Sequence, residues 1–511
     1  MFKISWLWFT LFNSLAITII NCNSFIYVYN LLEKNLWLTF GIVVMYFGLV
    51  QMIFSILFLK YLTKFFSIFF LFCACVSVYF ISFYGIIIDS TMIQNIVQTD
   101  SREVKDLFNI RIVIFCLVLL FMCIVILMTR ISSQKTFKKA VFIRIWSFLL
   151  GFVFFMAVFL PLTKSYIPFF RNHNEIRMYN IPFYQIYAVY RYYTLRMKEK
   201  KELESLANDA YRENNSTKKL FVLVVGETAR AANYSLGTYT KNDTNTYTKN
   251  QQVIFFDNAS SCGTSTAVSL PCMFSVSKRK EFSPSEYKEN ILDILHKIGV
   301  KTVWYDNNYG FCKGVCARIE SENIQAEYDG ALLESLRKQL HSLDTQNIII
   351  LHLQGSHGPS YYKRYPKEFK VFHPTCDTNE LDKCSNEALE NTYDNTLLYT
   401  DYLLSQIIAL LKEQKDYESA LLYLSDHGES LGENGIYLHA IPYFIAPKYQ
   451  THIPVIFWSN QADLMKRASQ HSHFAISHDN LFSTLLGFFQ VQTSLYEDEF
   501  DLLSPNLKAY N

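Results

Sequence analysis

Five long apolar stretches crowd the first third of this 511-residue chain: roughly Trp6 to Ile20, Trp37 to Leu59, Phe65 to Ile88, Ile112 to Met128 and Phe142 to Leu162. A helix that crosses a bilayer needs ~20 apolar residues, since backbone polar groups in hydrocarbon must all be satisfied internally. Most of the stretches reach that length, so a membrane domain of five helices is expected over residues 1–164. The first has the position of a secretory signal, but no small-residue cleavage site follows it and further spans do, so it reads as a retained helix.

Lys and Arg in the short loops set the orientation. Lys3 precedes the first span, Lys60 and Lys64 separate the second from the third, and Arg130, Lys135, Lys138 and Lys139 follow the fourth without an acid among them. The alternate loops differ: Asn21 to Asn35 is nearly neutral, and Ser90 to Ile110 mixes both signs. The N-terminus is therefore expected in the cytoplasm and everything after about Lys164 outside it, in the periplasm of a Gram-negative cell. Overall, 50% of the residues are hydrophobic, 16% aromatic and only 18% charged. That is too apolar for a wholly soluble enzyme and too polar for a wholly membranous one. A net charge of +2 without a dense basic run gives no basis for nucleic-acid binding.

Residues 165–219 read as interfacial or bridging helices and a linker. Tyr166, Phe169, Phe170, Arg171, Tyr187, Tyr190, Tyr192 and Tyr193 supply the aromatic and cationic side chains favoured at a bilayer surface. Lys198 to Asn215 is charged and reads as an exposed helix or linker, and Gln94 to Asn109 as a further interfacial helix. From residue 220 to 511 the pattern becomes α/β. Aliphatic runs at Leu220 to Val225, Lys301 to Tyr305, Asn347 to Leu353, Ala420 to Leu424 and Ile453 to Trp458 are separated by helical stretches such as Tyr287 to Ile298 and Leu389 to Lys412. Buried runs alternating with helices predict a largely parallel central sheet covered on both faces, with function at the carboxyl ends of the strands.

Three strand exits carry ligand-type residues. Glu227 follows Val225 and Gly226; His357 follows the Asn347 to Leu353 run; Asp426 and His427 follow Leu424 and Ser425. A lone strand-end glutamate is more often a cap or an ion-pair partner. An Asp-His-Gly triplet at a buried sheet edge is harder to explain as structure, and carboxylates with an imidazole suit zinc or a similar divalent ion. The small-residue loop Ser260 to Ser275 carries hydroxyls at Thr264, Ser265, Thr266 and Ser269. Alone it would be turn and capping chemistry; beside a metal its hydroxyls become candidate nucleophiles. Six cysteines of the exported part lie in close pairs, Cys262 with Cys272, Cys312 with Cys316 and Cys376 with Cys384, and read as disulfides rather than as a zinc cluster.

The blocks GETARAANYSLGTY from Gly226, SCGTSTAVSLPCMFS from Ser261, KGVC from Lys313, GSHGPSYYKRYP from Gly355, CDTNELDKC from Cys376, NTYDNTLLYTDY from Asn391 and SDHGESLGENGIYLH from Ser425 resemble the signature blocks of bacterial phosphoethanolamine transferases. That family includes the lipid A or lipooligosaccharide modifying enzymes and the mobilised colistin-resistance enzymes, within the alkaline phosphatase and sulfatase superfamily. The resemblance implies Thr266 as nucleophile, and zinc held by Glu227, Thr266, Asp426 and His427, with a second ion possible at His357 and His439. It further implies substrate-side roles for His357 and His439, a phosphate cradle from Lys313 and Asn308, an ethanolamine or orienting contact from Glu429, and a supporting place for His478. His341, His373 and His471 have no motif around them. The cysteine pair that many relatives carry near Tyr328, Asp329 and Gly330 is absent.

The implied reaction moves phosphoethanolamine from phosphatidylethanolamine through a phosphoethanolamine-threonine intermediate to lipid A or core oligosaccharide, releasing diacylglycerol. A monomer contacting membrane lipids is expected. Covering an anionic phosphate with a zwitterion lowers the charge that polymyxin and other cationic peptides meet. A membrane-anchored sulfatase, phosphodiesterase or glycerol-phosphate transferase is the alternative from the same superfamily; the CDTNE and KRYP blocks resemble the transferase branch instead.

Overall fold

In a computed structural model, residues 3–99, 101–132, 136–197, 202–213, 216–284, 286–308 and 311–509 are described. Lys135, and the two ends of the charged stretch at Lys198 and Asn215, lie outside them. The chain divides into two packed units: Met1–Ser90 with Asn109–Arg191, and Thr91–Phe108 with Tyr192–Asn511.

The first unit opens with strand β1 (Lys3–Ser5) and helices α1 (Trp6–Ile20), α2 (Cys22–Leu31), α3 (Leu36–Leu57) and α4 (Thr63–Tyr84). Helices α5 (Ser90–Gln98) and α6 (Ser101–Leu107) follow in the chain but, from Thr91 on, belong to the second unit; α7 (Ile110–Met128), β2 (Arg130–Ser132), α8 (Phe137–Asn172) and α9 (Phe183–Met197) then return to the first, α9 passing into the second after Arg191. Helices α3, α4, α7 and α8 are each long and apolar enough to cross a membrane, and α1 with α2 forms a pair bent by 54°, which makes up to five spans. The stretch after Asn21, nearly neutral in sequence, is thus helix α2 and not loop. Helix α8 runs on through Pro161 and Pro168 to Asn172, so Tyr166, Phe169 and Phe170 extend this helix.

Helices α3 and α8 approach through Gly48 and Gly151, where a Cβ on either would meet the other's carbonyl oxygen at 2.6 Å. Small residues at such a crossing let helices pack where no hydrophobic force draws them together. Beside it, Gln51 accepts from Ser14 Oγ at 2.7 Å and donates to Ser147 Oγ at 2.7 Å, which also meets Ser55 Oγ.

In the second unit the strands are β3 (Tyr211–Arg212), β4 (Lys219–Gly226), β5 (Ile254–Ser260), β6 (Lys301–Asp306), β7 (Glu320–Asn323), β8 (Gln346–His352), β9 (Glu418–Ser425), β10 (Ser430–Leu431), β11 (Tyr437–Leu438), β12 (His452–Ser459), β13 (Ile476–Ser477) and β14 (Val491–Gln492). The helices that matter below are α10 (Thr266–Met273), α11 (Ile291–Lys297), α12 (Ala331–Leu340) and α13 (Asn386–Glu413). Eight strands form one sheet in the order β13-β5-β12-β9-β4-β8-β6-β7, parallel except that β12 runs against both β5 and β9. The expected largely parallel α/β sheet of sulfatase type is what forms, because β4, β8 and β9 are buried along nearly their whole length.

The charged stretch expected as a helix or linker instead contributes, among the described residues, strand β3 paired with β14 and a bridge from Glu204 to Lys288. The three cysteine pairs are disulfides. Cys22, Cys73, Cys75, Cys116 and Cys123 are free.

Candidate active site

Strand β4 lies between β9 and β8, and all three run parallel, so their carboxyl ends open on one edge. That register brings Glu227, the turn bearing His357, and Asp426 with His427 together from three distant parts of the sequence. The chain after β8 folds back so closely that Gly355, at φ +52°, has no room for a side chain: a Cβ would lie 2.7 Å from Glu227 O. Ser356 N donates to that same carbonyl at 2.9 Å.

Glu227, Asp426 and His427 are fully buried, with ligand atoms within 4.8 Å of one another. Burial and the neighbouring Asp426 push the Glu227 carboxyl up to about 7, and burial pushes Asp426 up to about 6. Burial, with His439 close by, pulls the His427 imidazole down to about 4. Two carboxylates and one neutral imidazole facing each other form a donor set whose repulsion a divalent cation would relieve, so the residues fit a bound metal ion.

Thr266 stands at the first position of α10, the helix that opens inside the Cys262–Cys272 loop. Its Oγ1 donates to Glu227 Oε2 at 3.0 Å and lies 3.5 Å from His427 Nε2. Of the four hydroxyls, the others are committed elsewhere or set apart from the cluster. Thr264 Oγ1 donates to Ile441 O at 2.7 Å, Ser269 Oγ to Asp426 O, and Ser265 Oγ is buried with no hydrogen-bond partner among the described residues.

Asn308 lies against Glu227: its amide donates to Glu227 Oε2 at 2.8 Å and to Leu353 O at 3.0 Å. Lys313, at φ +46° between the bonded Cys312 and Cys316, lies near enough to lower the His357 imidazole together with Arg364. Burial is the larger cause of that shift. The rings of His357 and His439 are 5.7 Å apart, and those of His427 and His439 4.4 Å.

Glu429, fully buried and pushed up to about 8 by burial, meets His439 Nδ1 at 2.9 Å and accepts from Tyr361 Oη at 2.7 Å. It therefore orients His439 from behind. His478 accepts from Cys262 N on Nδ1 at 3.0 Å, so its Nε2 is the protonated nitrogen and donates to Ser425 O at 2.9 Å. It ties the nucleophile loop to the end of β9. His341, His373 and His471 have no place in this cluster.

The model of the family described as Phosphoethanolamine transferase EptA/EptB matches residues 46–197, and the Sulfatase model matches residues 219–491. Phosphoethanolamine transferase EptA of Escherichia coli (strain K12) is 38% identical over 83% of this chain and 82% of its own. The chain belongs to the phosphoethanolamine transferase family. Among solved structures, the integral membrane lipooligosaccharide phosphoethanolamine transferase A of Neisseria meningitidis is 32% identical, covers 98% of this chain and 99% of its own, and superposes with a TM-score of 0.94. The C-terminal periplasmic domain of phosphoethanolamine transferase EptC from Campylobacter jejuni is 67% identical over 61% of this chain and all of its own, with a TM-score of 0.59. This phosphoethanolamine transferase is accordingly a multi-pass protein of the bacterial inner membrane with its sulfatase-type domain in the periplasm.

Sequence reasoning passed over several residues that hold the transferase site together. Asp306, at the end of β6, accepts from Trp304 Nε1, Asn308 N and His352 Nδ1 at 2.7 to 2.8 Å. Asp329 accepts from Gln354 N, Gly355 N and Asn307 Nδ2, each at 2.9 Å. It fastens the turn that leads to His357. Asp306 had a signal, since it closes a buried strand as Glu227 nearly does. Asp329, within a plain Tyr-Asp-Gly turn, had none.

Proposed function

We propose that Thr266 is the nucleophile of a phosphoethanolamine transfer from phosphatidylethanolamine to lipid A or the lipooligosaccharide core. The observation that carries this reading is the 3.0 Å hydrogen bond from Thr266 Oγ1 to Glu227 Oε2, within a buried cluster that also holds Asp426 and His427. Glu227, Thr266, Asp426 and His427 would hold a zinc ion, which would supply Lewis acidity and lower the pKa of the hydroxyl.

The chain's own residues do the rest. Thr266 Oγ1 passes its proton to Glu227 Oε2 and attacks phosphorus, the bond from phosphorus to the diacylglycerol oxygen breaks, and a phosphoethanolamine-threonine ester remains. Lying at the first turn of α10, Thr266 places the phosphoryl oxygens near free backbone N–H groups and the positive end of that helix. His439, fixed through Nδ1 by Glu429, keeps Nε2 for the substrate and stands to protonate the leaving oxygen. His357 and Lys313 complete a polar wall around the phosphate. An acceptor phosphate or sugar hydroxyl then attacks the ester and frees Thr266. Positioning and charge stabilisation carry most of the rate in phosphoryl chemistry, which suits a site whose groups are locked by second partners.

Full-length protein in detergent with zinc and labelled phosphatidylethanolamine is expected to release diacylglycerol, and Thr266→Ala to abolish release and the covalent ester. Release that survives Thr266→Ala would overturn the nucleophile. In cells, polymyxin susceptibility unchanged by the active chain would count against lipid A as the main acceptor.

A further inference from the structure

We propose that residues 91–99 and 101–108 form a positioning strap for the reaction, fastened by Asp106 and Arg364, in which Asp106 holds Arg364 and Arg364 holds the turn bearing His357. The proposal rests on the reading of His357 as a substrate-side residue. In sequence the strap lies between the apolar helices α4 and α7, yet it packs as part of the catalytic unit.

Its contacts fall on the loops that carry the candidate site residues. Gln94 Nε2 donates to Ala267 O at 3.3 Å, one residue past the proposed nucleophile. Lys313 Nζ donates to Gln98 O at 3.4 Å. The Asp106 carboxylate takes Lys363 Nζ at 2.7 Å and Arg364 Nη2 at 2.6 Å. Asn379, inside the Cys376–Cys384 loop, donates to the carbonyls of Asp106 at 2.8 Å and Phe108 at 3.1 Å.

The Arg364 pair is the one that reaches the chemistry. The Arg364 side chain is 1% exposed and that of Asp106 10%, so the ion pair is largely shielded from water. From the same guanidinium, Nε donates to His357 O at 2.8 Å and Nη1 to Gln354 Oε1 at 3.3 Å. One planar fork thus grips both ends of the Gln354–His357 turn while its third edge is held by the strap. A carboxylate is the natural partner for that fork. Removing it takes away the carboxylate hydrogen-bonded to a buried cation and frees the guanidinium to shift, taking the His357 backbone with it. Asp106 and Arg364 touch neither nucleophile nor phosphate on this account; they are positioning residues.

The test uses full-length protein in detergent and fluorescent phosphatidylethanolamine. Asp106→Asn is expected to lower kcat about tenfold, in the range that small misplacements of reacting groups produce, with KM and bound zinc unchanged. Asp106→Glu, which keeps the charge, is expected to restore most of kcat. Asn379→Ala, which loosens the strap without burying a charge, is expected to lower kcat about threefold, and it stands in should Asp106→Asn fail to fold. Wild-type kcat in both loosening variants, a loss confined to KM, or an Asp106→Glu variant as slow as Asp106→Asn would each overturn the strap. His357→Ala separates the two readings. If it is inactive while Asp106→Asn is normal, the strap alone is wrong; if it is fully active, the role of His357 falls.

Discussion

Two sets of carboxylates are buried in the catalytic unit, and they differ in what they face. Asp394 and Asp401, on α13, each look into a basket of neutral donors. Asp394 accepts from Tyr239 Oη, Asn242 Nδ2 and Asn233 Nδ2 at 2.5 to 2.7 Å. Asp401 accepts from Asn245 Nδ2, Tyr247 N, Thr248 N and Thr248 Oγ1. Glu227 and Asp426, at the strand ends, also accept from neutral donors, but unlike the first set they face each other and His427 as well. Burial pushes all four carboxyls up, to about 6 for Asp394, Asp401 and Asp426 and about 7 for Glu227, so titration does not tell the sets apart. Convergence does. A carboxylate surrounded by N–H and O–H groups pins a loop to a helix, whereas acids and an imidazole brought face to face ask for a cation.

The largest effect that would break this comparison lies in Asp426→Asn. It is expected to lose stoichiometric zinc and to lower diacylglycerol release by about a thousandfold, the scale on which removal of a charge-stabilising group acts. In the wild type, chelation should lower thermal stability by about 3 kcal/mol if zinc is present at roughly a hundred times its dissociation constant. The Asn variant should show no such response. Metal measured at one ion per chain in Asp426→Asn would erase the distinction between the two sets.

Next in size is Asp401→Ala. It strands the amide of Asn245, two backbone N–H groups and the Thr248 hydroxyl, and leaving several buried donors unpaired is expected to cost about 3 kcal/mol. Zinc content and turnover per folded molecule should stay close to wild type, because Asp401 is bonded to Asn245, Tyr247 and Thr248, none of which belongs to the Glu227 cluster. Urea unfolding and metal analysis on the same preparation check both. A loss of metal with little loss of stability would move Asp401 into the functional set.

The contrast also marks how far the amino-acid sequence can be read. The strands bearing Glu227 and Asp426 were legible because β4 and β9 are unbroken apolar runs, and each ends in a residue that has no business at a buried edge. Strand β5, Ile254–Ser260, was missed, since Asp257 and Asn258 interrupt its apolar pattern where it pairs with β12. Strand β13 is two residues long and adds to the sheet only through β5. Around the site, residues inside sequence blocks were found, but those acting across the fold were not: Arg364 lies in the quoted KRYP block, yet its partner Asp106 is more than 250 positions away. The segment that carries Asp106 reads as an interfacial helix, and its alternation of apolar and polar residues does not reveal that it packs with the catalytic unit.

The smallest effect is the pH dependence that Asp401 adds to stability. Its folded carboxyl is raised to about 6, with burial outweighing the donors from Thr248 and Asn245, while an unfolded aspartate titrates near ~3.9. A raised acid binds its proton more tightly in the folded state. Its contribution is therefore full below about pH 4 and is lost as the pH rises through about 6. Asp401→Asn removes that slope while keeping an acceptor oxygen for part of the basket. Between pH 5 and 7 the stability of the wild type should fall by about 1 kcal/mol relative to Asp401→Asn, read from urea midpoints of the full-length protein in detergent. A relative rise instead would mean that the four donors dominate and hold the carboxylate charged. Asp401 would then be a fully solvated anion inside the protein, and the difference between the two sets would be sharper still, with only the strand-end acids paying for burial.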